Sequence, residues 1–458
     1  LTPALHIPEA LLKRLKEVPG FDEPAFLAAH RTPAVTSIRL HPQKAPADDA
    51  DTDSVPWCPS GRYLAQRPVF TLDPAFHGGA YYVQEASSMF LDHLFRHLFP
   101  QRGGLRVLDL CAAPGGKSTL LASLLGSGSL LVANEVIRSR AAILEENITR
   151  WGYMNTWVTS NDPRAFAPLS GYFDAIVVDA PCSGSGLFRK DPAALDEWSE
   201  ANVMHCSQRQ RRILADIWPA LKQHGMLIYA TCSYSPEENE QVLDWLAASF
   251  HAAGVPVPVR QEWGITTTAS PVHGMPGYRF FPDKVKGEGF FIAAIQKQDE
   301  AATVRYPRYK PNRLPGIAAQ AGSFLRGTDQ LYLPAADGHY AAIRPHHEPD
   351  LHLLRQYIFL RRTGLPLGKP AAGEWLPAHD LALSTDKSPG LPALDTTPGQ
   401  ALRFLRKEDL QLPSAPRGWY LLRTGGIALG WVKSLGDRYN NYLPKHWRIR
   451  MSGPGEEL

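Results

Sequence analysis

The stretch R-V-L-D-L-C-A-A-P-G-G-K-S-T, residues 106–119, decides how this chain is read. Its first five residues are a short apolar run of the kind that forms a buried strand. They break into alanines, a proline and two glycines, small residues that let a ligand approach backbone N–H groups closely. A strand turning through glycine into a helix is how a ligand-binding α/β domain opens. Outward from this point the alternation repeats. Residues 130–134 read as a second strand, and Leu144, Ile148 and Trp151 mark one helix face over 137–152. Residues 156–159, 174–179 and 226–230 read as further strands, with a helix around 207–221. Ser235-Pro236-Glu237-Glu238 fits a capping box, and Val242, Leu243, Leu246 and Phe250 stripe the helix behind it. Residues 289–295 are expected as a late strand, the antiparallel edge. This order predicts a doubly wound, Rossmann-like α/β domain.

The whole chain has 458 residues, room for about three domains, and 48 basic against 45 acidic residues give a net charge of +3. A polyanion-binding surface must therefore come from charge distribution. Residues 1–75 hold 8 basic and 9 acidic residues, 76–298 hold 19 and 21, and the remainder holds 21 and 15, so the positive balance sits at the C-terminal end. The 40 prolines fall 11, 13 and 16 over the same segments, which makes the flanks loop-rich. Five scattered cysteines without a C-x-x-C pair argue against a disulfide framework and against a cysteine-rich metal site. No apolar run approaches the ~18 residues of a membrane span, and the charged, amphipathic start is unlike a signal peptide. A soluble, cytoplasmic protein is expected.

In a doubly wound sheet ligands sit beyond the carboxyl ends of the strands. A phosphate-binding loop would need glycine five positions before Gly116, where Cys111 stands, and C-A-A-P-G-G does not match the dinucleotide pattern G-x-G-x-x-G. What remains is a nucleoside-type cofactor without phosphates, of which S-adenosylmethionine is the common one. Glu135 after the second strand is placed for ribose hydroxyls, and Asp162 after the third for an adenine amino group.

Two cysteines lie at two further strand ends, Cys182 in D-A-P-C-S-G-S-G (179–186) and Cys232 in A-T-C-S-Y-S-P-E-E-N-E (230–240). Polar turns beside helix N-termini favour a thiolate, whereas Cys58 and Cys206 read as inert packing residues and Cys111 as a small residue of the cofactor turn. A thiolate beside a methyl donor suggests one reaction. Added to carbon 6 of a cytosine, it turns carbon 5 into a nucleophile for the methyl group; loss of the carbon 5 proton then expels the thiol. Asp179 is placed to hold the amino and ring-nitrogen edge. The base that removes the proton is not identifiable from the sequence.

D-L-C-A-A-P-G-G-K, D-A-P-C-S-G-S-G and A-T-C-S-Y-S-P-E-E-N-E, in that order, resemble the motifs of the Sun-type RNA cytosine-5 methyltransferases, and the layout is similar to the bacterial small-subunit ribosomal RNA methyltransferase F group. The resemblance covers roughly 76–298, and Y-Y-V-Q-E-A-S-S-M (81–89) resembles the opening of that family's catalytic domain. It implies Cys232 as nucleophile and Cys182 as the cysteine that helps release product. It also implies that Cys111, Ala112, Ala113, Pro114, Gly115, Gly116, Lys117, Glu135, Asp162 and Asp179 line the S-adenosylmethionine site. Lys190 matches a position near the substrate; an ordinary solvated lysine is the equal alternative.

Residues 1–75 resemble the family's N-terminal extension, packing on the catalytic domain and carrying an acidic loop with Asp48, Asp49, Asp51 and Asp53; no direct part in RNA binding is assigned to it. Residues 299–390 begin with Arg305, Arg308, Lys310 and Arg313 interleaved with Tyr306 and Tyr309, which suits either RNA contact or a solvated linker. Residues 391–458, with their glycine-punctuated short strands, resemble a PUA-like β-barrel that binds RNA. The expectation is a monomeric, metal-free enzyme that methylates carbon 5 of a cytosine in 16S rRNA or the small ribosomal subunit. Its rivals are a transfer RNA methyltransferase with the same chemistry and a non-catalytic RNA-binding assembly factor. A DNA methyltransferase fits less well, since it gives no reason for T-C-S or for a PUA-like tail.

Overall fold

The computed structural model describes residues 7–45, 53–311 and 313–451; Asp48, Asp49 and Asp51 of the acidic loop lie outside them. A ten-stranded sheet forms the centre. We label its strands β1 (Arg106–Asp109), β2 (Leu130–Asn134), β3 (Thr156–Thr159), β4 (Phe173–Asp179), β5 (Leu221–Thr231), β6 (Thr266–Ala269), β7 (Pro276–Phe280), β8 (Phe290–Lys297) and β9 (Leu360–Arg362). Their order across the sheet is β6-β7-β8-β5-β4-β1-β2-β3-β9, with the short strand Ala252–Gly254 also on β8. The pairs among β1 to β5 are parallel, and β6 to β9 are antiparallel to their neighbours. Four helices matter below: α1 (Gly116–Leu124), α2 (Arg138–Trp151), α3 (Glu200–Ile217) and α4 (Glu240–Ser249).

Strand periodicity explains the two cores. Leu108, Val132, Ile176, Val178 and Leu227 enter one cluster, with Trp157, while the intervening Val107, Leu131, Val177 and Ile228 enter the other. Successive side chains point to opposite faces, and both faces are covered. The strands therefore read as continuous apolar runs.

Three expectations need correction. The helix placed at 207–221 runs from Glu200 to Ile217, because the Ser199 hydroxyl accepts from the N–H of Asn202 (3.1 Å) and so starts the helix earlier, while Pro219 just beyond cannot continue it. The capping box does not form. Pro236–Glu238 is a separate 3-10 turn, the Ser235 side chain makes no cap bond, and α4 begins at Glu240. The late strand β8 is antiparallel as expected but interior, since β7 and β6 extend the sheet past it and bury Tyr278 and Phe280 against the second core.

Before this domain, Thr36–Leu40, Gly61–Leu64 and Tyr81–Val83 make a small antiparallel sheet. The buried Arg39 pins it to α1, donating to the Thr119 hydroxyl (2.6 Å) and to Gln84 Oε1 (2.8 Å). After it come two four-stranded sheets, one built from strands between 331 and 377 and the other from strands between 393 and 441. The Trp431 indole donates to the Ala378 carbonyl (2.9 Å), tying the second to the first. Among the described residues no helix is long and apolar enough to cross a membrane.

Candidate active site

The carboxyl ends of β1 to β5 converge on one cleft. Asn134 at the end of β2 fastens three of the loops there. Its amide donates to the carbonyls of Leu110 and Asn161 (3.0 Å each), and its Oδ1 accepts from the Thr159 hydroxyl (2.8 Å) and the Asn161 N–H (3.0 Å). The turn after β1 is held from the side by α2, whose Arg140 and Asn147 donate to the carbonyls of Ala113 (2.9 Å) and Pro114 (2.7 Å). Gly115 caps α1 at φ +117°, a conformation L side chains rarely adopt.

The cleft has two lobes. The larger, about 410 Å³, is lined by Glu135, Val136, Ile137, Asp162, the 180–184 loop and Arg209. The smaller, about 260 Å³, is lined by Tyr82, Gln84, Ala112, Pro114, Gly116, Lys117 and Phe290. Cys111, Ala113, Asp179, Leu187 and Cys232 line both. The residues singled out in sequence thus divide between the lobes: Glu135 and Asp162 belong to the larger, the 112–117 turn chiefly to the smaller, and Asp179 and Cys232 to their junction. Lys190 belongs to neither. It is exposed and lines a separate cavity.

At the junction Lys117 reaches from the first turn of α1 to Asp179 Oδ2 (2.8 Å), with its ammonium 5.1 Å from the centre of the Phe290 ring. Burial opposes the lysine's charge, yet Asp179, Asp109 and Cys232 together hold its pKa above the usual value. Lys117 and Cys232 line the same lobe, which sets a fixed cation near that sulfur. The Cys182 and Cys232 sulfurs are 3.0 Å apart. The Cys182 thiol is pushed well up, first by its hydrogen bond to Cys232 and then by burial, so it stays a thiol at neutral pH. Burial likewise raises the thiol of Cys111 and takes that of Cys206 to about 11, which suits packing rather than nucleophilic work.

What holds the two sulfurs together is Glu238, whose local sequence is that of a helix cap. Fully buried, its carboxylate accepts from the Ser183 N–H (2.8 Å), the Ser183 hydroxyl (2.5 Å), the Ser233 hydroxyl (2.5 Å) and the Gln210 amide (3.1 Å). Ser183 and Ser233 each follow a cysteine, so one carboxylate clamps both cysteine loops. Beneath them Gly186 donates to the Cys232 carbonyl (2.8 Å) and Gly289 to the Gly186 carbonyl (3.1 Å). A Cβ on Gly186 would lie 2.4 Å from the Gly289 carbonyl oxygen, so the crossing requires glycine. The paired pattern P-C-S and T-C-S was the available sign of this clamp; nothing local marks Asn134.

The larger lobe suits S-adenosylmethionine. Val136 and Ile137 are each 45% exposed beside Glu135 and Asp162, an apolar face flanked by carboxylates. Hydroxyls, an adenine amino group and an ammonium are all donors, and the lobe offers acceptors. Asp109, fully buried below the turn, has one oxygen bound by Ser118 (2.6 Å) and the other without a partner; burial takes its pKa to about 7. Among the described residues no group of His, Cys, Asp and Glu is placed to hold a metal ion.

Comparison with known proteins agrees with this chemistry. Residues 96–296 match the family model of 16S rRNA methyltransferase RsmB/F, 7–86 the N-terminal domain of 16S rRNA methyltransferase RsmF, and 392–449 the methyltransferase RsmF PUA domain. The ribosomal RNA small subunit methyltransferase F of Salmonella arizonae is 31% identical over 96% of this chain and 96% of its own. That of Pectobacterium carotovorum subsp. carotovorum is 35% identical over 69% of this chain and 67% of its own. Among solved structures, a methyltransferase homologue from Pyrococcus horikoshii is 28% identical, with a TM-score of 0.55 over 65% of this chain and 100% of that one. NSun6 from the same organism, solved with an S-adenosylmethionine analogue, shares the fold at 21% identity and a TM-score of 0.51, over 64% of this chain and 99% of that one.

Proposed function

Because the chain belongs to the ribosomal RNA small subunit methyltransferase F family, we propose that it methylates carbon 5 of a cytosine in 16S rRNA, with Cys232 as the nucleophile. S-adenosylmethionine, held by Glu135 and Asp162 in the larger lobe and by the 111–117 turn toward the junction, supplies the methyl group as an electrophile. The chain's own residues do the rest. The smaller lobe takes the cytosine, which must leave its stack to enter, and Asp179 meets its amino and ring-nitrogen edge. The Cys232 sulfur adds to carbon 6, with the Lys117 ammonium in the same lobe. Addition moves electron density to carbon 5, making it able to accept the methyl group. When solvent water takes the carbon 5 proton, the ring regains its double bond and the Cys232 sulfur departs, receiving a proton from the thiol of Cys182; return of that proton across the 3.0 Å sulfur pair resets the enzyme.

The observation that carries this reading is the 3.0 Å pair of sulfurs beside the Lys117–Asp179 ion pair. The C-terminal module, matched to the PUA domain, supplies affinity for structured RNA through phosphate and shape. We infer a monomeric enzyme that works in the cytoplasm, where its RNA is assembled. Bisulfite sequencing of 16S rRNA tests the reading. A strain without the gene loses one or more protected cytosines, the wild-type gene restores them, and a Cys232→Ala copy does not. Restoration by Cys232→Ala would overturn it.

A further inference from the structure

A third cavity, of about 390 Å³, adjoins the reaction cleft. It shares Val83, Gln84 and Glu85 with the smaller lobe as lining residues and lies between the N-terminal extension and the catalytic domain. Its charged lining is Arg67, Glu85, Arg189 and Lys190. Two of these are already engaged. Arg189 is paired with Glu288 (2.8 Å) in a buried ion pair, and Glu85 accepts from the N–H groups of Ser87, Ser88 and Glu288 (2.8–2.9 Å). Arg67 and Lys190 have no ion-pair or side-chain hydrogen-bond partner among the described residues. The Arg67 guanidinium lies 5.3 Å from the centre of the Phe70 ring, which restricts its sweep without using its donors.

Two cations without a hydrogen-bonded or ion-paired partner among the described residues, in a cavity that shares a wall with the base lobe, suit an anion joined to the base. We propose that this cavity is a phosphate subsite for the RNA strand carrying the reacting cytosine, with Arg67 of the N-terminal extension and Lys190 as its contacts. The proposal rests on the reading of the smaller lobe as the cytosine site. A nucleotide rotated out of its stack stays attached to the backbone on both sides, so its flanking phosphates must lie beside the pocket that holds the base. Contacts to phosphate position the strand without selecting sequence, and Arg67 suits the task with its fork of donors. The N-terminal extension is then one wall of the substrate path.

The test uses the full chain and transcribed 16S rRNA. Arg67→Ala and Lys190→Ala are each expected to raise KM for RNA by roughly three- to tenfold, with kcat little changed, since such contacts are made equally before and during reaction. The slope of log KM against log salt should fall by about 0.7 for each lost contact, and Arg67→Lys should keep most of it. Retained binding of S-adenosylmethionine shows that the variants are folded. A double variant with wild-type KM and salt slope would overturn the subsite. Cys232→Ala run in parallel separates the two readings: activity in that variant would sink the reaction itself, whereas its inactivity beside a wild-type-like double variant would sink only the subsite.

Discussion

The two ends of the parallel strands treat their carboxylates in opposite ways. At the amino end, Asp350 accepts from the Arg106 guanidinium (2.8–2.9 Å), the Tyr172 hydroxyl (2.8 Å) and the His347 ring (3.1 Å), and Asp174 accepts from the Arg106 N–H (2.7 Å) and Lys222 (2.6 Å). Asp350 thereby binds the C-terminal half to the sheet, and Asp174 joins two strands within it. At the carboxyl end, Asp109 keeps an oxygen without a partner and Asp179 has a single lysine. A satisfied carboxylate strengthens a seam; Asp179, which lines both lobes and has one partner, keeps capacity to meet a ligand.

The comparison can be broken from either side. The largest effect is expected at Cys182. Cys182→Ala should still form the adduct at Cys232 but fail to release it, so multiple turnover is nearly lost while a denaturation-resistant protein–RNA band appears on gels. Absence of that band counts against a role in release. Next is Asp350→Ala, which strands the partly buried Arg106 and should lower stability by about 3 kcal/mol, read from urea unfolding, with S-adenosylmethionine affinity unchanged. Glu238→Gln replaces an acceptor oxygen with a donor facing hydroxyls. A loss of roughly 2 kcal/mol is expected, and single-turnover experiments should show slower release than addition. Equal slowing of both steps would mean that Glu238 supports the fold alone.

The smallest effect is a pair of opposite pH slopes. Although burial opposes it, His347, Arg106 and Tyr172 hold the pKa of Asp350 below the ordinary value. Its contribution is present above about pH 4 and lost as pH falls through the depressed value. Asp109 is raised to about 7 by burial. The folded protein therefore keeps its proton where the unfolded chain has lost it, and stability falls as pH rises from about 4 to about 7. In Asp109→Asn that decline should disappear, leaving the variant more stable than the wild type at pH 8 by about 1–2 kcal/mol in melting experiments. An unchanged pH profile would contradict the assignment.

Much of this was legible in the residues. The apolar runs located β1 to β4 to within a residue, because strands covered on both faces must be apolar throughout; of β5 they located only the carboxyl half, since Lys222, Gln223 and His224 break the run. The glycine turn and the two cysteine motifs marked the cleft because small or nucleophilic residues at strand ends have few other uses. What stayed hidden depends on distant partners. Ser235-Pro236-Glu237-Glu238 has the local pattern of a cap, but Glu238 finds better donors in Ser183 and Ser233 than in its own helix. The strand Leu360–Arg362 is too short to announce itself; it forms because Arg362 reaches the Thr156 carbonyl (3.1 Å) and Asn161 exchanges two hydrogen bonds with Phe359 (2.9 Å each). Lys190 follows the P-C-S motif closely in sequence, yet its turn carries it to the neighbouring cavity.

The central claim, that Cys232 attacks carbon 6 of the target cytosine, is tested most directly by substrate RNA carrying 5-fluorocytosine, whose carbon 5 has no proton to lose. With S-adenosylmethionine present, the account predicts a stoichiometric, denaturation-resistant complex whose digestion maps the attached nucleotide to the peptide containing Cys232. Attachment at Cys182, or methyl transfer to ordinary RNA with no complex formed on the fluorinated strand, would contradict it.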